Sequence, residues 1–532
     1  MITAGPDARQ TGSAGVSLPE ALDRLPRRLT DWAMSRSLAP NAVSGISLAL
    51  GLCAAAWFSA GTRPDSIKGV LALAAGYLAS SVSRSLAGPA AGGMPRPYLA
   101  GAGLVAEICG AVSEFAVCAG LAVAGYAAHW GNTWIVAIAV VIVLAVRKTI
   151  IACRGPDMGA PPAMSVQAEA SAPGDAKAWG AGYLLGRALW TLLTISPGWR
   201  LAVIAVAVPV WGAHTTLLVL LDWGIIATGF AIAGPGPRHA AAVKMPDPAS
   251  SAEPLAGVDP SDLPVPPDLP APSDLVAPPA RVGSPVLASP GGAGQADPPP
   301  TLAHAAEPAL TEPALAELTA AEPTMTLDQM IHVDQAGKRK PRPAVDPRTL
   351  AAIAACRDDG STSVWLGQLV RGQFVPLPPA IAGLAATCFL AVLGLRNLPG
   401  ILLLTPLVVM LLAAPGNSHP HDGRLDWLAP AVLLTGQFIY VAALGFSFRI
   451  PAAVTYALCA TIALRYLDLA TRDPEEGQIP DTRLGWEGRM LAVGLGAMFG
   501  IGMVAYLAMT AYLGVLICGN VMASCLDGRG RT

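Results

Sequence analysis

The sequence predicts an all-α, polytopic membrane protein of about twelve transmembrane helices in two six-helix bundles, joined by a disordered Pro/Ala-rich linker. Three observations carry this reading. Hydrophobic residues make up 53% of the 532-residue chain and charged residues only 13%, about half the roughly 25% of soluble domains, and the mean hydropathy is +0.51. Apolar stretches near the ~20 residues that cross a ~30 Å hydrocarbon layer recur in both halves. Between them, residues 236–346 are dominated by Pro, Ala, Ser and Asp, with runs such as Pro264-Val265-Pro266-Pro267-Asp268 and Pro298-Pro299-Pro300. Such a stretch buries too little apolar surface to offset the entropy of ordering it, and reads as an extended tether, partly polyproline II.

Taken in order, residues 1–40 hold Arg24, Arg27, Arg28 and Arg36 and no apolar core after a basic start. That predicts a cytoplasmic segment rather than a cleaved signal peptide. The first membrane domain, 41–235, offers spans at roughly 42–61, 67–86, 99–126, 133–152, 201–214 and 215–234, the last two forming a tight hairpin through Gly212 and His214. In the linker, Lys338, Arg339, Lys340 and Arg342 form a charge run, read either as solvated or as touching anionic lipid. A juxtamembrane segment, 347–377, leads into the second domain, 378–525. Its spans fall at roughly 378–395, 399–414, 427–447, 451–468, 489–504 and 506–524.

Cations are retained on the cytoplasmic side of a membrane. In the first half they cluster after spans two and four, at Arg84, Arg96, Arg147, Lys148, Arg154, Lys177, Arg187 and Arg200, whereas the alternate loops hold little beyond Arg63 and Lys68. In the second half Arg424, Arg465, Arg472, Arg483, Arg529 and Arg531 continue the pattern against Arg396 and Arg449. Both termini are therefore expected in the cytoplasm. Arg outnumbers Lys, and Ala, Gly and Pro abound, as in GC-rich bacterial genomes, which points to a bacterial cytoplasmic (inner) membrane. A net charge of −2 gives no basic excess for a nucleic-acid partner. The nine cysteines are scattered, without a CxxC pair, and read as small hydrophobes.

Polar residues that could carry chemistry concentrate at the predicted cytoplasmic mouths of the second half. Asp422 and Asp426 are four apart and share a face if a helix begins by residue 421. His419 and His421 lie just ahead, Arg424 lies between the two aspartates, Asp468 closes the fourth span, and Glu487 and Arg489 open the fifth. Such a group suits a phosphate-bearing ligand, with Asp422 and Asp426 as metal ligands, Arg424 and Arg489 on phosphate, and Asp468 or Glu487 as bases. The alternative is that these are helix caps and snorkelling cations. In the first half, Asp222 is an intramembrane carboxylate, read either as functional or as paired with a neighbouring helix.

Two resemblances follow from motifs. Ala39-Pro40-Asn41-Ala42-Val43-Ser44 stands ahead of the first long apolar helix, where Pro stops an earlier helix and Asn can cap the next. With Glu114-Phe115-Ala116-Val117-Cys118-Ala119-Gly120-Leu121, and Ser196-Pro197-Gly198-Trp199-Arg200 leading into the closing hairpin, it resembles the CDP-alcohol phosphatidyltransferases over residues 25–235. Those six-helix enzymes transfer a phospho-substituent from a CDP-linked donor to an alcohol and release CMP. Their signature sets four aspartates on two helix faces to hold divalent cations against a pyrophosphate. Here Ser80 and Ser83 stand at the first two positions. At the second pair stand Ala106 and Gly110, or Glu107 and Ala111 after a one-residue shift. At most one carboxylate, Glu107, survives, so the resemblance implies a degenerate site.

Residues 365–525 resemble an uncharacterised domain that follows such enzymes in GC-rich bacteria. The motifs are His419-Pro420-His421-Asp422-Gly423-Arg424-Leu425-Asp426-Trp427-Leu428, Arg465-Tyr466-Leu467-Asp468 and Gly485-Trp486-Glu487-Gly488-Arg489. Asp422-x-x-x-Asp426 also has the spacing of the family's second aspartate pair, which would make this half a remote repeat of the first.

The resemblances imply a role in phospholipid or lipid-linked polymer synthesis. Expected partners are membrane lipids, a CDP-linked lipid or alcohol, a second copy of the chain or a partner membrane enzyme, with Mg²⁺ or Mn²⁺ if the protein is catalytic. A non-catalytic membrane scaffold and a transporter are the alternatives.

Overall fold

The computed structural model describes residues 28–36, 38–87, 97–154, 197–233, 347–370, 374–396, 398–416, 425–471 and 484–530. The linker, Asp422, Arg424, His419 and His421 lie outside these residues. No strand occurs among the described residues.

The first half contributes α1 (Pro40–Ser59), α2 (Arg63–Ala87), α3 (Pro97–Ala127), α4 (Thr133–Arg154), α5 (Pro197–Trp211) and α6 (Ala213–Ala233). The second contributes α7 (Pro347–Arg357), α8 (Ser361–Leu369), α9 (Leu377–Arg396), α10 (Thr405–Ala413), α11 (Ala429–Ser447), α12 (Ala452–Thr471), α13 (Trp486–Met498) and α14 (Gly502–Gly530). Ten helical stretches among the described residues are long and apolar enough to cross a membrane. The protein is a multi-pass helical membrane protein.

Local chemistry sets the element ends. Pro40 occupies the first turn of α1, where its missing N–H costs nothing. The cap of α1 is Ala39, so Asn41 does not serve as the predicted cap; its amide instead points to Cys525 Sγ at 3.6 Å. Gly212, at φ +83°, makes the tight α5–α6 hairpin. The stretch 399–416 is not one regular helix. Pro399 and Pro406 break it into a 3₁₀ segment, Pro399–Leu404, followed by α10. The predicted span 489–504 is also shorter than expected. Gly500 adopts φ +74°, and the N–H groups of Gly500 and Ile501 turn back to the carbonyls of Ala497 and Gly496, ending α13 at Met498. At 13 residues α13 is about 20 Å long, and α5, at 15 residues, is about 22 Å. Both fall short of a full ~30 Å crossing.

Small residues let the helices approach, as expected where lipid removes the hydrophobic drive for association. A Cβ at Gly120 would stand 2.3 Å from the Ala55 carbonyl oxygen, and one at Gly51 would stand 2.5 Å from Ser113 Cβ, so α1 and α3 touch backbone to backbone. Gly76 does the same between α2 and α1.

The two halves share one core. Its members run from Ala54 and Phe58 through Leu121 and Val141 to Phe438, Tyr466 and Leu513. Tyr456 on α12 donates to the Phe115 carbonyl of α3 at 2.6 Å and stacks edge-on against Trp134 of α4. Arg154, at the end of α4, lies over the Trp427 ring at 4.4 Å and donates to the Ala231 and Ile232 carbonyls at the end of α6. Below it Cys153 and Cys356, both free thiols, meet in a small apolar cluster with Ile150, Ile353 and Trp427. The α11 span is the most enclosed, with 72% of its apolar window buried against 28% for α2 and α9.

Candidate functional site

Two polar centres lie at the same end of the bundle, the end marked by the Arg154–Trp427 contact. They differ in whether their charges are spent on one another.

In the second half the centre is closed. The segment joining α7 to α8 brings Arg357, Asp358 and Asp359 against α12 and α13. A Cβ at Gly485 would lie 2.1 Å from the Gly360 nitrogen, so only glycine lets these two backbones meet. The contact brings the Trp486 N–H to the Asp358 carbonyl at 3.0 Å. Asp358 then pairs with Arg489, and with Arg465 at 3.6 Å. Arg465 also holds Asp468 at 2.9 Å, and Asp468 accepts from Asn520 on α14 at 2.8 Å. Arg489 reaches the Leu484 carbonyl at 3.2 Å and lies 5.9 Å from the Tyr466 ring centre. Asp359 accepts from Arg357 Nε at 2.6 Å and Trp486 Nε1 at 2.9 Å. Burial nonetheless raises the Asp359 carboxyl above its ordinary value, against the pull of Arg357 and Trp486.

The predicted residues therefore take the following places. Glu487 is buried and accepts from the Gly360 and Ser363 N–H groups, each at 3.1 Å, and from the Thr362 hydroxyl at 2.9 Å. It thereby satisfies the N-terminus of α8 from outside that helix. Asp468 and Arg489 are buried within the ion-pair network. Asp426 is buried in a 3₁₀ turn, Asp426–Leu428, and regular helix begins at Ala429. Asp422 lies outside the described residues, so the pairing of Asp422 with Asp426 lies outside them as well. Arg357, Asp358, Asp359 and Asn520 were not singled out from the sequence. The run Arg357-Asp358-Asp359-Gly360 was the signal for the first three, three adjacent charges closing an apolar helix.

In the first half the centre is open. Helices α1 to α5 enclose a cleft of about 820 Å³, counting its open mouth, whose walls carry Ser80, Arg84, Glu107, Glu114, Lys148 and Arg200. The rest of the lining is largely apolar, including Leu73, Val117, Leu201 and Ile204. Glu114 accepts from Arg200 and lies 4.0 Å from Lys148. Arg84 Nε donates to the Ser80 carbonyl of its own helix at 3.4 Å. Arg200 Nε is shielded from solvent and has no acceptor among the described residues.

Ser80 and Glu107, two of the degenerate family positions, line this cleft. Ser83 does not. It is fully buried, 2.6 Å from the Ser44 hydroxyl, and donates to the Pro40 carbonyl, tying α2 to the start of α1. Gly110 faces Ser80, a Cβ there standing 4.0 Å from the hydroxyl. One hydroxyl and one carboxylate do not supply the charge or oxygen count of a two-metal site, so these positions do not fit paired Mg²⁺ or Mn²⁺ ions. Asp222 lies on an exposed face of α6 and makes no polar contact among the described residues.

Residues 347–525 match a family of unknown function, DUF5941. The DUF5941 region begins with α7, upstream of the 365 boundary read from motifs, and so takes in the Arg357–Asp359 segment that completes the ion-pair network. No CDP-alcohol phosphatidyltransferase model matches the chain. No curated protein and no solved structure matches it.

Proposed function

We propose that the protein binds the headgroup of a phosphate-bearing lipid in the first-half cleft without transferring it. It would be a non-catalytic relative of the CDP-alcohol phosphatidyltransferases in a bacterial cytoplasmic membrane. The observation that carries this reading is the pairing of three cations, Arg84, Lys148 and Arg200, with apolar walls in one open cleft between membrane helices. Guanidinium and ammonium groups recognise phosphate oxygens, and the apolar walls suit acyl chains. The non-catalytic reading is supported by the donor set: where the resemblance calls for four aspartates, the chain offers at most one carboxylate, Glu107.

The DUF5941 region supports a scaffold role. Its buried acids are held by arginines and by backbone N–H groups, with Arg489 Nε shielded and without an acceptor among the described residues, and this sealed pairing favours a fixed architecture over an open ligand site. Such a scaffold would serve a partner membrane enzyme of phospholipid or lipid-linked polymer synthesis. The test is to purify the full chain in mild detergent, identify bound lipid by native mass spectrometry, and assay CMP release from a CDP-linked lipid with Mg²⁺ or Mn²⁺. Bound phospholipid without CMP release is expected. CMP release above background would overturn the non-catalytic reading, and absence of bound phospholipid would overturn the binding reading.

A further inference from the structure

Within the cleft, Glu114 stands apart from the other charges. It projects from α3 towards α4 and α5, accepts from Arg200, and places its second oxygen 4.0 Å from Lys148 Nζ. Arg147, buried beside them, interacts electrostatically with both Glu114 and Arg200. Glu114 is therefore the carboxylate shared by Arg200 and Lys148, while Glu107 is the other acid of the cleft. The group is not sealed: the side chains of Glu114, Arg200 and Lys148 keep 20%, 14% and 24% of their exposure, respectively. This sets it apart from the second-half network, where Arg465 and Asp468 keep 2% and 0%. Arg200 also has a donor to spare, since its shielded Nε finds no acceptor among the described residues.

A carboxylate and a phosphate present the same feature to a guanidinium, two oxygens in the plane of its fork. We infer that Lys148 and Arg200 form the phosphate subsite of the cleft and that Glu114 occupies it as a displaceable stand-in anion when no lipid is bound. This rests on the reading of the cleft as a headgroup site and adds where the phosphate sits and what it must displace. The incoming phosphate would take the Arg200 and Lys148 contacts and supply the missing acceptor for Nε. Glu114 would swing away, and Arg84, on α2 in the lining of the same cleft, would face the remainder of the headgroup. No bond is made or broken. Every phospholipid offers a phosphodiester in exchange for the carboxylate, so selectivity for net-anionic lipid comes from the rest of the headgroup: the ammonium of a zwitterionic lipid would be brought among Arg84, Lys148 and Arg200, whereas phosphatidylglycerol adds no like charge.

A purely structural ion pair predicts the opposite response to mutation. If Glu114 only braces α3 against α5, neutralising it loosens the cleft and weakens binding. If it competes with the ligand, neutralising it strengthens binding. The experiment uses the full chain in nanodiscs of phosphatidylcholine with graded phosphatidylglycerol, read by native mass spectrometry, with inorganic phosphate in detergent as a second arm. Glu114→Gln should bind phosphatidylglycerol about ten-fold more tightly than wild type, about 1.4 kcal/mol. Arg200→Gln should lose most binding. Glu114→Asp, whose shorter arm retains the charge and withdraws it from Arg200, should fall between wild type and Glu114→Gln and covers the case in which Glu114→Gln does not fold. Saturation by inorganic phosphate alone would identify a soluble phosphate as the ligand, and a response only to phosphatidylglycerol would identify the lipid. Wild-type binding that Glu114→Gln leaves unchanged or weakens would overturn the stand-in role while leaving the cleft reading intact. Absence of anion binding in wild type and in every variant would overturn both.

Discussion

Arg489→Met distinguishes a structural second half from a ligand site most sharply. In the folded protein Asp358 is 6% exposed and takes its principal ion pair from Arg489. With Arg489 removed, Asp358 retains only the 3.6 Å contact to Arg465, an arginine already engaged with Asp468 at 2.9 Å. Breaking a buried pair from one side strands a charge and typically costs about 3–5 kcal/mol. At roughly 2–4 °C per kcal/mol for a cooperative unit of about 150–250 residues, the melting temperature should fall by about 6–20 °C. Removing both charges, as in Arg489→Met with Asp358→Asn, a residue that tolerates the left-handed φ of +48° at that position, should recover most of that loss, because no isolated charge remains. The assay is thermal unfolding of the detergent-solubilised full chain, followed by tryptophan fluorescence and by retention of monodisperse elution. A single variant melting within about 2 °C of wild type would refute the reasoning, as would a double variant no more stable than the single.

Other consequences are open to the same measurement. Glu487→Gln weakens the carboxylate bonds to Gly360, Thr362 and Ser363 and should cost about 1–2 kcal/mol, with α8 the first element to gain amide exchange. Gly120→Ala drives a methyl into the Ala55 carbonyl and should cost about 1–3 kcal/mol by parting α1 from α3, read as a lower melting point. Asp359 titrates in the sense opposite to most carboxylates. Its folded pKa is raised above the ordinary 3.8, so the folded state holds the proton more tightly. Its contribution to stability is therefore greatest below that value and declines as pH rises towards the folded pKa. Asp359→Asn should flatten that part of a stability-versus-pH curve, measured by denaturant unfolding from about pH 3.5 upward.

The architecture was legible because lipid imposes a length and a composition on every helix. The predicted spans 133–152 and 427–447 lie within two residues of the observed Thr133–Arg154 and Asp426–Ser447 stretches at every end, since hydrophobic length largely fixes such ends. Where backbone chemistry intervenes, hydropathy misleads. The apolar run through 489–504 conceals the left-handed turn at Gly500, and 399–414 conceals the proline-divided 3₁₀ start. The sharing of one core by the two halves is set by contacts such as Tyr456 with Phe115, far apart in sequence and without any periodic signature. Site residues were harder still. Asp468, Glu487 and Arg489 drew notice as polar residues at helix ends, but a list of positions does not reveal that Asp358 and the Gly360 backbone are their counterparts. Ser80 and Glu107 were placed by motif as remnants, whereas the Lys148–Glu114–Arg200 group needed three helices to be brought together.

The first-half cleft is the proposed place where lipid phosphate is held. Its most direct test is native mass spectrometry of the full chain extracted from its own membrane, comparing wild type with a variant carrying Arg84→Gln, Lys148→Gln and Arg200→Gln, and with Glu487→Gln as a control. Phospholipid adducts should be present in wild type and the control and absent from the triple variant. Equal phospholipid occupancy in a folded triple variant would contradict the account.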